Sequence, residues 1–568
     1  GEAKGAVIST LYHADQLLAK GSLRHDYPHS WRSKAPVIFR ATPQWYIDLD
    51  RSGLRQKALD EIENVKWTPE SGKNRIKAMV ENRPDWCISR QRYWGVPIPI
   101  FVRTKTGEIL NDPAVNERIR TVFAEEGADA WYGREPADFL GKDYDPAEFT
   151  QIKDVIDVWF ESGSSHAYVC DARDDLKWPA DLYFEGSDQH RGWFQSSLLQ
   201  ACGTRGEAPF KHVVTHGFVL DKDGRKMSKS LGNVVDPMKM VNKYGADIIR
   251  LWSLGQDYTS DIRFSHESVK LHVDSYRRFR NTLRYLLGAL GDFDDVERVD
   301  LIGEYDRLPA LEKWVLHRLT EMDNIVRTKM DAIQFQEAYQ AVHDFCNIDL
   351  SSVYFDIRKD RLYCDRPDLF ERRVCRSVME VIFQCLTAWL TPFIPFTMNE
   401  TWEHRLEQVL PEEAEINPHA RVYPKTPKAW QNDNLHKAFT RVREIRSVIT
   451  GALEIARKND EIRSSLEAHP VIYLEAESDR ALSADLGFDW ADIAITSQAT
   501  LTPGKGPGEA HRIDTVKGVA VMVEQAKGKK CARSWKILPT VGDDPDYPDL
   551  SPRDADAVRH IRNNEKAA

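Results

Sequence analysis

The sequence predicts three regions in order: an α/β layer with a parallel sheet, an all-α bundle of long helices, and a small α+β region. Between about residues 51 and 265, short apolar runs alternate with helix-like segments and glycine turns, which is typical of alternating strands and helices. Beyond residue 270, apolar residues recur at steps of three and four, the period of an amphipathic helix. After about residue 426, one more helix-like segment precedes strand-like segments and a turn-rich tail.

The composition excludes several classes of protein. The chain has 568 residues, of which 42% are hydrophobic and 29% are charged, an ordinary globular balance. No run of about 18 apolar residues occurs, so we expect no membrane span. Because 78 Lys and Arg face 88 Asp and Glu, the net charge is −10, and any nucleic-acid contact needs a local basic patch. Eight scattered cysteines, several in apolar runs, favour reduced thiols in a cytoplasmic protein.

The α/β layer is predicted from its strands. The segment DLYFEG (181–186) precedes the helix-like GWFQSSLLQAC, and HVVTHGFVL (212–220) is predicted to be one strand that ends in a DKDG turn. Near the start of the chain, a short helix is predicted from Leu11 to Leu18.

Three long helices are predicted from apolar spacing. The segment TPFIPF ends the second helix, and a linker rich in proline and polar residues spans 411–430 before the third. VIYLEA (471–476) and GVAVMVEQA (518–526) are predicted strands. The apolar positions are Val315, Leu319, Met322, Val326 and Met330 in the first helix, Val374, Val378, Ile382, Cys385 and Trp389 in the second, and Phe439, Val442, Ile445, Ile449 and Leu453 in the third.

The segment THGFVLDKDGRKMSKSLGN (215–233) predicts a phosphate-binding loop. A strand ends in a DG turn, and a loop of small residues follows with Lys226 and Lys229 three positions apart. Their ammonium groups could neutralise polyphosphate oxygens while charge builds on a leaving pyrophosphate. A solvated basic turn is the alternative, and it is the commoner origin of an isolated K-x-S-K-S string. The strand before the loop and the helix-like GADIIRLW (245–252) after it favour the phosphate-binding interpretation.

The segment DLYFEGSDQHRGWFQSSLL (181–199) predicts a ligand site at the end of a strand. In an open α/β sheet, ligands bind at the carboxyl ends of strands, near helix N-termini. Gly186 permits close backbone approach, while Glu185, Asp188 and Gln189 can bind an ammonium group and ribose hydroxyls. The alternative is a simple helix cap, which would leave Glu185 and Gln189 unexplained.

Two further segments, RPDWCISRQRYWGVPIPIF (83–101) and DVIDVWFESGSSHAYV (154–169), point to the same kind of site. Their tryptophans offer flat apolar walls, and their arginines offer forks for phosphate or carboxylate. Taken alone, such stretches are more often core packing, and a lone histidine such as His190 is more often structural than catalytic. The candidate side chains are Trp86, Trp94, Trp159, Arg90 and Arg92.

Together these four segments resemble the class I aminoacyl-tRNA synthetase family, and most closely its isoleucine-specific members. The resemblance is carried by NRPDWCISRQRYWGVPIP (82–99), DVWFESGSSH (157–166), EGSDQHRGWF (185–194) and GRKMSKSLGNVVDP (224–237). The helical region resembles the family's anticodon-binding bundle through NIDLSSVYFDIRKDRLY (347–363) and TAWLTPFIPFTMNETWEH (387–404).

The resemblance implies a reaction, its partners and a set of domains. The reaction is ATP-dependent activation of L-isoleucine to isoleucyl-adenylate, with Mg²⁺ accompanying ATP, followed by transfer to tRNA(Ile). We expect a cytoplasmic monomer. The implied domains are the end of an editing insertion (1–48), the C-terminal half of a Rossmann-type catalytic domain (49–270), a helical anticodon-binding domain (271–425) and a C-terminal tRNA-contacting region (426–568).

The resemblance also implies roles for individual residues. Lys226 and Lys229 correspond to the catalytic lysines that contact ATP. The implied contacts of isoleucyl-adenylate are Glu185, Gly186, Asp188, Gln189 and Trp159, and the other implied contacts of ATP are His216, Gly217, Phe218, Met227, Ser228 and Ser230.

One departure from the family's pattern concerns completeness. The family carries a His-x-Gly-His motif, and no H-x-G-H occurs here. Residues 1–45 resemble the end of the editing domain and no more of it. We therefore expect a C-terminal portion of the enzyme that is inactive in amino-acid activation by itself.

A second departure concerns zinc. Relatives carry C-x2-C pairs where this chain has Ser30 and Ser33, and again near its end. One thiolate among two hydroxyls and a carboxylate is a poor tetrahedral set, so we expect no zinc in the tail. The family's cysteine positions in the tail fall on Cys531, Ser534, Ser551 and Asp554.

Three alternative functions predict different sequence features. A non-catalytic tRNA-binding module would use the helical bundle and basic stretches such as Arg277 to Arg280 and Lys527 to Lys530. A synthetase for valine or leucine would carry other residues in EGSDQHRGWF and DVWFESGSSH. Another adenylyl-transferring enzyme that shares the lysine loop would lack the helical bundle after residue 270, which the periodicity contradicts.

Overall fold

The structure, a computed structural model, describes residues 2–30, 33–406 and 417–567. The chain divides into two compact units, Gly1–Thr215 and His216–Ala568. Each unit has apolar cores of its own. The four-domain division implied by the resemblance stays a prediction.

The first unit combines short strands with helices. Its helices are α1 (Glu2–His13), α2 (Leu54–Asn64), α3 (Ser71–Glu81), α4 (Pro113–Glu126), α5 (Ala130–Gly133), α6 (Pro136–Leu140), α7 (Val158–Gly163) and α8 (Trp193–Thr204). Its strands are β1 (Tyr46–Ile47), β2 (Lys66–Thr68), β3 (Trp86–Cys87), β4 (Ser89–Arg90), β5 (Phe101–Arg103), β6 (Phe149–Gln151), β7 (Val155–Ile156), β8 (Tyr183–Gly186) and β9 (His212–His216), which ends at the boundary between the units.

The main sheet of the first unit has the order β2-β9-β8. Strands β2 and β9 are parallel, with Trp67 opposite Val213, as the alternation of strands and helices predicted. Helices α2 and α3 pack Ile62 and Ile76 into the same core, and both residues are fully buried. A parallel pair buried under helices is the arrangement expected of a βαβ layer. At the other edge of this sheet, the short turn Ser187–Arg191 joins the carboxyl end of β8 to the start of α8.

Two predictions of element boundaries in this region are wrong. The helix predicted from Leu11 to Leu18 is instead α1, which ends at His13 because Asp15 adopts a positive φ of 51° and the Gln16 N–H closes the turn on the Leu11 carbonyl. The strand predicted over 212–220 is interrupted at Gly217 and Phe218.

The interruption has a steric and a hydrogen-bonding cause. The Gly217 N–H donates to the Tyr258 carbonyl at 2.9 Å, and a Cβ on Gly217 would fall onto the Ser260 carbonyl group. The chain then re-enters a strand, β10 (Val219–Leu220), which pairs in parallel with β11 (Ile262–Arg263).

The second unit is mainly helical. Its helices are α9 (Pro237–Tyr244), α10 (Ala246–Leu254), α11 (His266–Ala289), α12 (Ala310–Asp331), α13 (Phe335–Asp344), α14 (Asp356–Cys364), α15 (Phe370–Leu390), α16 (Pro395–Leu406), α17 (Asp433–Lys458), α18 (Glu477–Leu486), α19 (Trp490–Ala494) and α20 (Pro552–Ala567). Its later strands are β12 (Ala468–Leu474), β13 (Thr500–Pro503), β14 (Val519–Gln525), β15 (Lys529–Lys530) and β16 (Ile537–Leu538).

The predicted bundle of long helices is confirmed. The three apolar seams fall on α12, α15 and α17, and every seam residue except the partly buried Met330 is buried in one large core. Within this core, Arg358 on α14 donates to Glu312 on α12 at 2.6 Å, so a buried charge is paired rather than left alone. Helix α15 ends at Leu390, one residue before the TPFIPF segment.

The region after the bundle is α+β, as predicted. Strand β12 lies between β13, to which it is parallel, and β14, to which it is antiparallel. The predicted strands at 471–476 and 518–526 therefore exist. Of the predicted linker 411–430, residues 411–416 lie outside the described residues. The rest holds short 3₁₀ turns and ends at Trp430, which is buried.

All eight cysteines are free thiols. Among the described residues, no helix combines the length and the apolar character that crossing a bilayer requires.

Candidate active site

The adenylate-contact candidates lie in the first unit, at the end of β8. Glu185 and Gly186 are the last two residues of this strand, and a 3₁₀ turn over Ser187–Arg191 leads into α8. The carboxylates of Glu185 and Asp188 are exposed, and the Glu185 carboxylate accepts the Gly186 N–H at 3.3 Å. Two carboxylates therefore face solvent at the carboxyl end of a strand, where an ammonium or hydroxyl group could reach them.

Gln189 and Trp159 meet around a glycine. A Cβ on Gly192 would lie 2.5 Å from the Gln189 Oε1 and 2.8 Å from the Trp159 Cη2, so any larger residue would push these side chains apart. The Gln189 Oε1 also accepts the Trp193 N–H at 3.0 Å, which orients the amide at the start of α8. The structure thus brings together two candidates that lie 30 residues apart in the sequence.

Trp193 is a member of this cluster that the sequence analysis missed. Its ring stacks on Tyr183, with centroids 4.1 Å apart and planes 7° apart. Its indole N–H donates to the Ser165 hydroxyl at 2.9 Å, which joins the cluster to the DVWFESGSSH segment. The available signal was a tryptophan directly after the glycine of the turn, a position that starts the helix beside the strand end.

His190 is buried and structural in its contacts. Its Nδ1 is 2.7 Å from the Ser187 carbonyl, and its ring stacks on Trp67. Burial lowers the pKa of this imidazole from its ordinary value. The structural interpretation of His190 is therefore favoured over a catalytic one.

The tryptophans and arginines of the two neighbouring segments divide into core and surface. Trp86 is buried and donates its indole N–H to Asp157 at 3.3 Å, whereas Trp94 is exposed. Arg90 pairs with the same Asp157 at 3.0 Å. Trp94, Trp159, Arg90 and Arg92 line a cavity of about 830 Å³, which is large enough for a nucleotide-sized ligand.

The ATP-contact candidates lie in the second unit, on the loop between β10 and α9. Asp221 organises this loop: its carboxylate accepts the backbone N–H of Arg225 at 2.8 Å and the side-chain amide of Asn233 at 2.9 Å. Asn233 in turn accepts the Ser228 N–H at 2.9 Å and donates to the Lys226 carbonyl at 3.2 Å. The Asn233 amide and the Arg225 N–H lower the pKa of Asp221 to about 2, so it is ionised at neutral pH. Sequence reasoning did not select Asp221 or Asn233.

The loop presents its two lysines to solvent. Lys226 and Lys229 are exposed, and within the described part of the chain no ion pair involves either ammonium group. Ser228 caps the 3₁₀ turn Lys229–Leu231 by accepting the Leu231 N–H at 3.3 Å. Met227 is partly buried against the core that includes Trp252. The contacts of Ser228 and Met227 therefore hold the backbone of the loop, while the two ammonium groups face solvent and are available to an anion.

The remaining ATP-contact candidates lie at the end of β9. The His216 Nδ1 is 2.7 Å from the Gly217 carbonyl, and the Phe218 N–H donates to the Asp261 carboxylate at 2.7 Å. Phe218 is 44% exposed, so a flat apolar face is open beside the strand. Ser230 lies in the 3₁₀ turn, and its side chain is outside the described residues.

The zinc positions of the tail converge on a carboxylate. Asp554 is fully buried, and its Oδ2 accepts hydrogen bonds from the hydroxyls of Ser534 and Ser551 at 2.7 Å each and from the Cys531 thiol at 3.1 Å. Burial opposes this charge, but the bonds from Ser551, Cys531 and Ser534 outweigh it and hold the pKa of Asp554 below its ordinary value.

This arrangement does not fit a zinc ion. Two of its four positions are hydroxyls that point their protons at the carboxylate, and the cluster holds a single thiol. At the other serine pair, the Ser33 N–H donates to the Ser30 hydroxyl at 3.2 Å, while Trp31 and Arg32 between them lie outside the described residues.

One other group, His317, Glu321 and His436, places three potential ligand atoms within 4.8 Å of one another. The Asn432 N–H donates to the His317 Nδ1 at 2.8 Å, which leaves the proton of the neutral ring on Nε2, the atom that faces Glu321. A nitrogen that carries a proton cannot coordinate a metal, so the His317 ring in this tautomer does not serve as a metal ligand.

Comparison with known proteins shows that two family models match the chain. A family model for class I tRNA synthetases (I, L, M and V) matches residues 12–265, and one for the anticodon-binding domain of tRNA ligase matches residues 312–472. The isoleucine--tRNA ligase of Caulobacter vibrioides is 51% identical over 567 residues, which cover 99% of this chain and 57% of that protein. The isoleucine--tRNA ligase of Brucella abortus (strain 2308) is 48% identical over 569 residues, with the same coverage of 99% and 57%.

The chain therefore spans a little over half the length of the curated relatives it matches. A solved structure of Mycobacterium tuberculosis methionyl-tRNA synthetase in complex with methionyl-adenylate is 19% identical, with a TM-score of 0.47 over 68% of this chain and 67% of that chain.

Proposed function

Since the chain belongs to the class I tRNA synthetases, with isoleucine--tRNA ligases as relatives along almost its whole length, we propose that it carries part of the machinery that activates L-isoleucine with ATP and transfers it to tRNA(Ile). The first unit supplies the adenylate contacts and the second supplies the lysine loop. Because the chain spans 57% of its relatives' length, we propose that it does so as a portion of a longer enzyme.

The observation that carries the proposal is the lysine loop. Two exposed ammonium groups stand on a backbone that Asp221 and Asn233 hold in place. In adenylate formation, the carboxylate of the amino acid attacks the α-phosphate of ATP, and negative charge builds on the departing pyrophosphate. Lys226 and Lys229 stabilise that charge most strongly when it is fully developed, so they accelerate the step rather than tighten binding of the amino acid. We expect Mg²⁺ to arrive with the nucleotide.

The end of β8 holds the product of that step. Glu185 and Asp188 offer carboxylates to the ammonium group of isoleucine and to the ribose hydroxyls of the adenylate. Gln189 is oriented by the Trp193 N–H and lies against Trp159, so an amide and a flat apolar wall stand side by side. This combination suits a ligand that is charged at one end and aliphatic at the other.

The test is complementation. The 568-residue chain is mixed with the N-terminal portion that its relatives carry, and isoleucine-dependent exchange of pyrophosphate into ATP is measured. We expect exchange from the mixture with isoleucine, and much weaker exchange with valine or leucine. Exchange that prefers valine or leucine would assign the chain to another aliphatic amino acid.

A non-catalytic tRNA-binding module is the competing candidate, favoured by the helical region that matches the anticodon-binding family. It predicts that the mixture binds tRNA but gives no exchange with any amino acid. The Lys229→Ala variant separates the two functions. If the chain takes part in catalysis, the variant lowers the exchange rate of the mixture, whereas a binding module gives no exchange with either lysine or alanine at this position. Location in the cytoplasm and a monomeric state remain part of the proposal.

A further inference from the structure

A cleft on the first unit gathers three arginines and no carboxylate. It has a volume of about 540 Å³ and lies beside α3 and the start of α8. Asp and Glu are absent from its lining. The polar and apolar side chains that shape it are Arg75 and Met79 on α3, Asn82 and Arg83 just after it, and Arg191 and Gln195 at the start of α8.

Helical spacing places these side chains on one surface. Positions 75, 79 and 82 are separated by four and three residues, so they share one face of α3 and its C-cap. Arg191 at the end of the 3₁₀ turn and Gln195 in the first turn of α8 line the other side of the cleft. The cleft is the groove between these two rows.

In the described ranges of the chain, no ion pair involves Arg75, Arg83 or Arg191. Other arginines of the same unit are paired: Arg55 with Asp50 at 2.7 Å, and Arg90 with Asp157 at 3.0 Å. In a chain of net charge −10, three unpaired arginines around one cleft form a local positive patch of the kind that a polyanion requires.

Arg83 has one buried N–H group that no described side chain or carbonyl accepts. Its Nη1 donates to the Gln195 Oε1 at 2.6 Å, and its guanidinium carbon lies 5.3 Å from the Trp86 ring centroid. Its Nε is buried, and no hydrogen-bond acceptor for it exists among the described residues. Burial lowers the pKa of this guanidinium from its ordinary value, and the nearby charge of Asp157 opposes that shift only in part. An oxyanion in the cleft would satisfy both the charge and the N–H.

We propose that this cleft binds backbone phosphates of RNA, an inference that rests on the proposed function because that function supplies tRNA as the partner. Arginine forks match phosphate oxygens, and Arg75 and Arg191 are exposed enough to reach a large ligand. The lining has no aromatic ring on which a base could stack. The cleft therefore positions the RNA without reading its sequence.

The test measures binding of a tRNA(Ile) transcript to the 568-residue chain by fluorescence anisotropy over a range of salt concentrations. The double variant Arg75→Ala/Arg191→Ala removes the two exposed cations and leaves half-buried Arg83 in place. We expect about tenfold weaker binding and a slope of log K against log salt reduced by about two, one for each phosphate that is no longer neutralised. A transcript of unrelated sequence should lose affinity to the same extent. The Arg75→Lys/Arg191→Lys variant should retain most of the slope.

The matched control is Arg120→Ala/Arg173→Ala, which removes two exposed arginines of the same unit that are ion-paired with Glu117 and Asp175. It makes the same change in net charge and should leave both affinity and slope close to those of the unchanged chain. Equal behaviour of the two double variants would overturn the proposal, and so would an unchanged chain that binds no tRNA.

Two results would point to another occupant. In the first, inorganic pyrophosphate raises the melting temperature of the unchanged chain but not of the Arg75→Ala/Arg191→Ala variant, and both proteins bind tRNA with the same affinity. The cleft is then a small-anion site, and the proposal is wrong. Failure of the proposed function is a separate result, because it would appear as missing isoleucine-dependent exchange and not as a changed salt slope.

Discussion

Lys229 extends an exposed ammonium group from a loop that other residues hold in place. In the complete enzyme, we predict that Lys229→Ala slows adenylate formation by about 10²–10³ and leaves isoleucine binding nearly unchanged, because its charge meets the triphosphate most strongly as pyrophosphate departs. Single-turnover adenylate formation and equilibrium binding of isoleucine measure the two quantities.

Lys222→Ala is the matched control for that variant. Lys222 is an exposed lysine in the DKDG turn just before the loop, and it should respond little. Wild-type kinetics in Lys229→Ala would remove this role from the lysine.

We propose that Glu185 binds the adenylate and contributes little to the stability of the fold. Its carboxylate is exposed, and its hydrogen bond to the Gly186 N–H is local and 3.3 Å long. We predict that Glu185→Ala weakens binding of a non-hydrolysable isoleucyl-adenylate analogue to the complete enzyme while the melting temperature changes little. Glu185→Gln keeps the shape and loses the charge. If neither variant affects the affinity for the analogue, Glu185 is a structural residue.

At the scale of structural elements, the C-terminal tail depends on the Asp554 carboxylate. Replacing Asp554 by alanine would leave two buried hydroxyls and a thiol without their acceptor, at a cost of about 1–3 kcal/mol for each unsatisfied hydroxyl. We predict that Asp554→Ala destabilises the packing of β15, β16 and α20, measured as faster proteolysis of the tail and a lower urea midpoint. The urea midpoint of Asp554→Asn should lie between those of Asp554→Ala and the unchanged chain, because the amide oxygen still accepts hydrogen bonds.

The same cluster predicts the outcome of elemental analysis. The parent chain should carry no stoichiometric zinc after dialysis against a mild chelator. The triple variant Ser534→Cys/Ser551→Cys/Asp554→Cys would place four thiols at these positions and should retain about one zinc per chain. Zinc in the parent chain would show that the carboxylate cluster is a metal site after all.

Buried histidines give the first unit a predictable pH dependence. Burial, assisted by the Arg205 charge, lowers the pKa of His166 to about 4, and burial also lowers the pKa values of His190 and His212. As the pH falls below about 6.5, these histidines take up protons in the unfolded chain before they do so in the folded chain. Their contribution to the free energy of unfolding is therefore complete above that pH and is lost progressively toward pH 4.

The variant His166→Gln tests the largest of these shifts. It should flatten the dependence of unfolding free energy on pH between 6.5 and 4 by up to one proton, or about 1.4 kcal/mol per pH unit. Glutamine can still accept the Trp178 indole N–H that His166 Nδ1 accepts at 3.0 Å. An unchanged slope would mean that His166 has the same pKa in the folded and the unfolded chain.

At the scale of the whole molecule, we predict that the 568-residue chain is folded but does not activate isoleucine by itself. The second unit has one large apolar core, and the first has its own, so cooperative thermal unfolding is expected. We expect no activation because the strand that carries the adenylate-contact candidates is left at an edge. In the first unit, β8 is the edge strand of the β2-β9-β8 sheet, and the Leu182 side chain just before it is 42% exposed. Isoleucine-dependent pyrophosphate exchange by the purified chain would contradict this prediction.

Element type was predictable where the apolar period was long. The seams of α12, α15 and α17 recur over five positions each, and all three helices pack those positions inward. Boundaries were less predictable, because they depend on single backbone conformations and distant contacts. Asp15 at φ 51° ends α1 early, and the approach of Ser260 to Gly217 divides one predicted strand into two.

The sequence by itself determined the chemistry available to this protein: the two lysines of the loop, the carboxylates after β8, and the lack of thiols at the zinc positions. These are properties of residue type and local spacing. The tertiary structure decided which atoms meet. It joined Gln189 to Trp159 around Gly192, placed Asp221 and Asn233 behind the lysines, and turned three hydroxyl and thiol donors onto Asp554. Such contacts link residues far apart in the chain, and packing selects them through shape and unsatisfied hydrogen bonds, which no local pattern encodes.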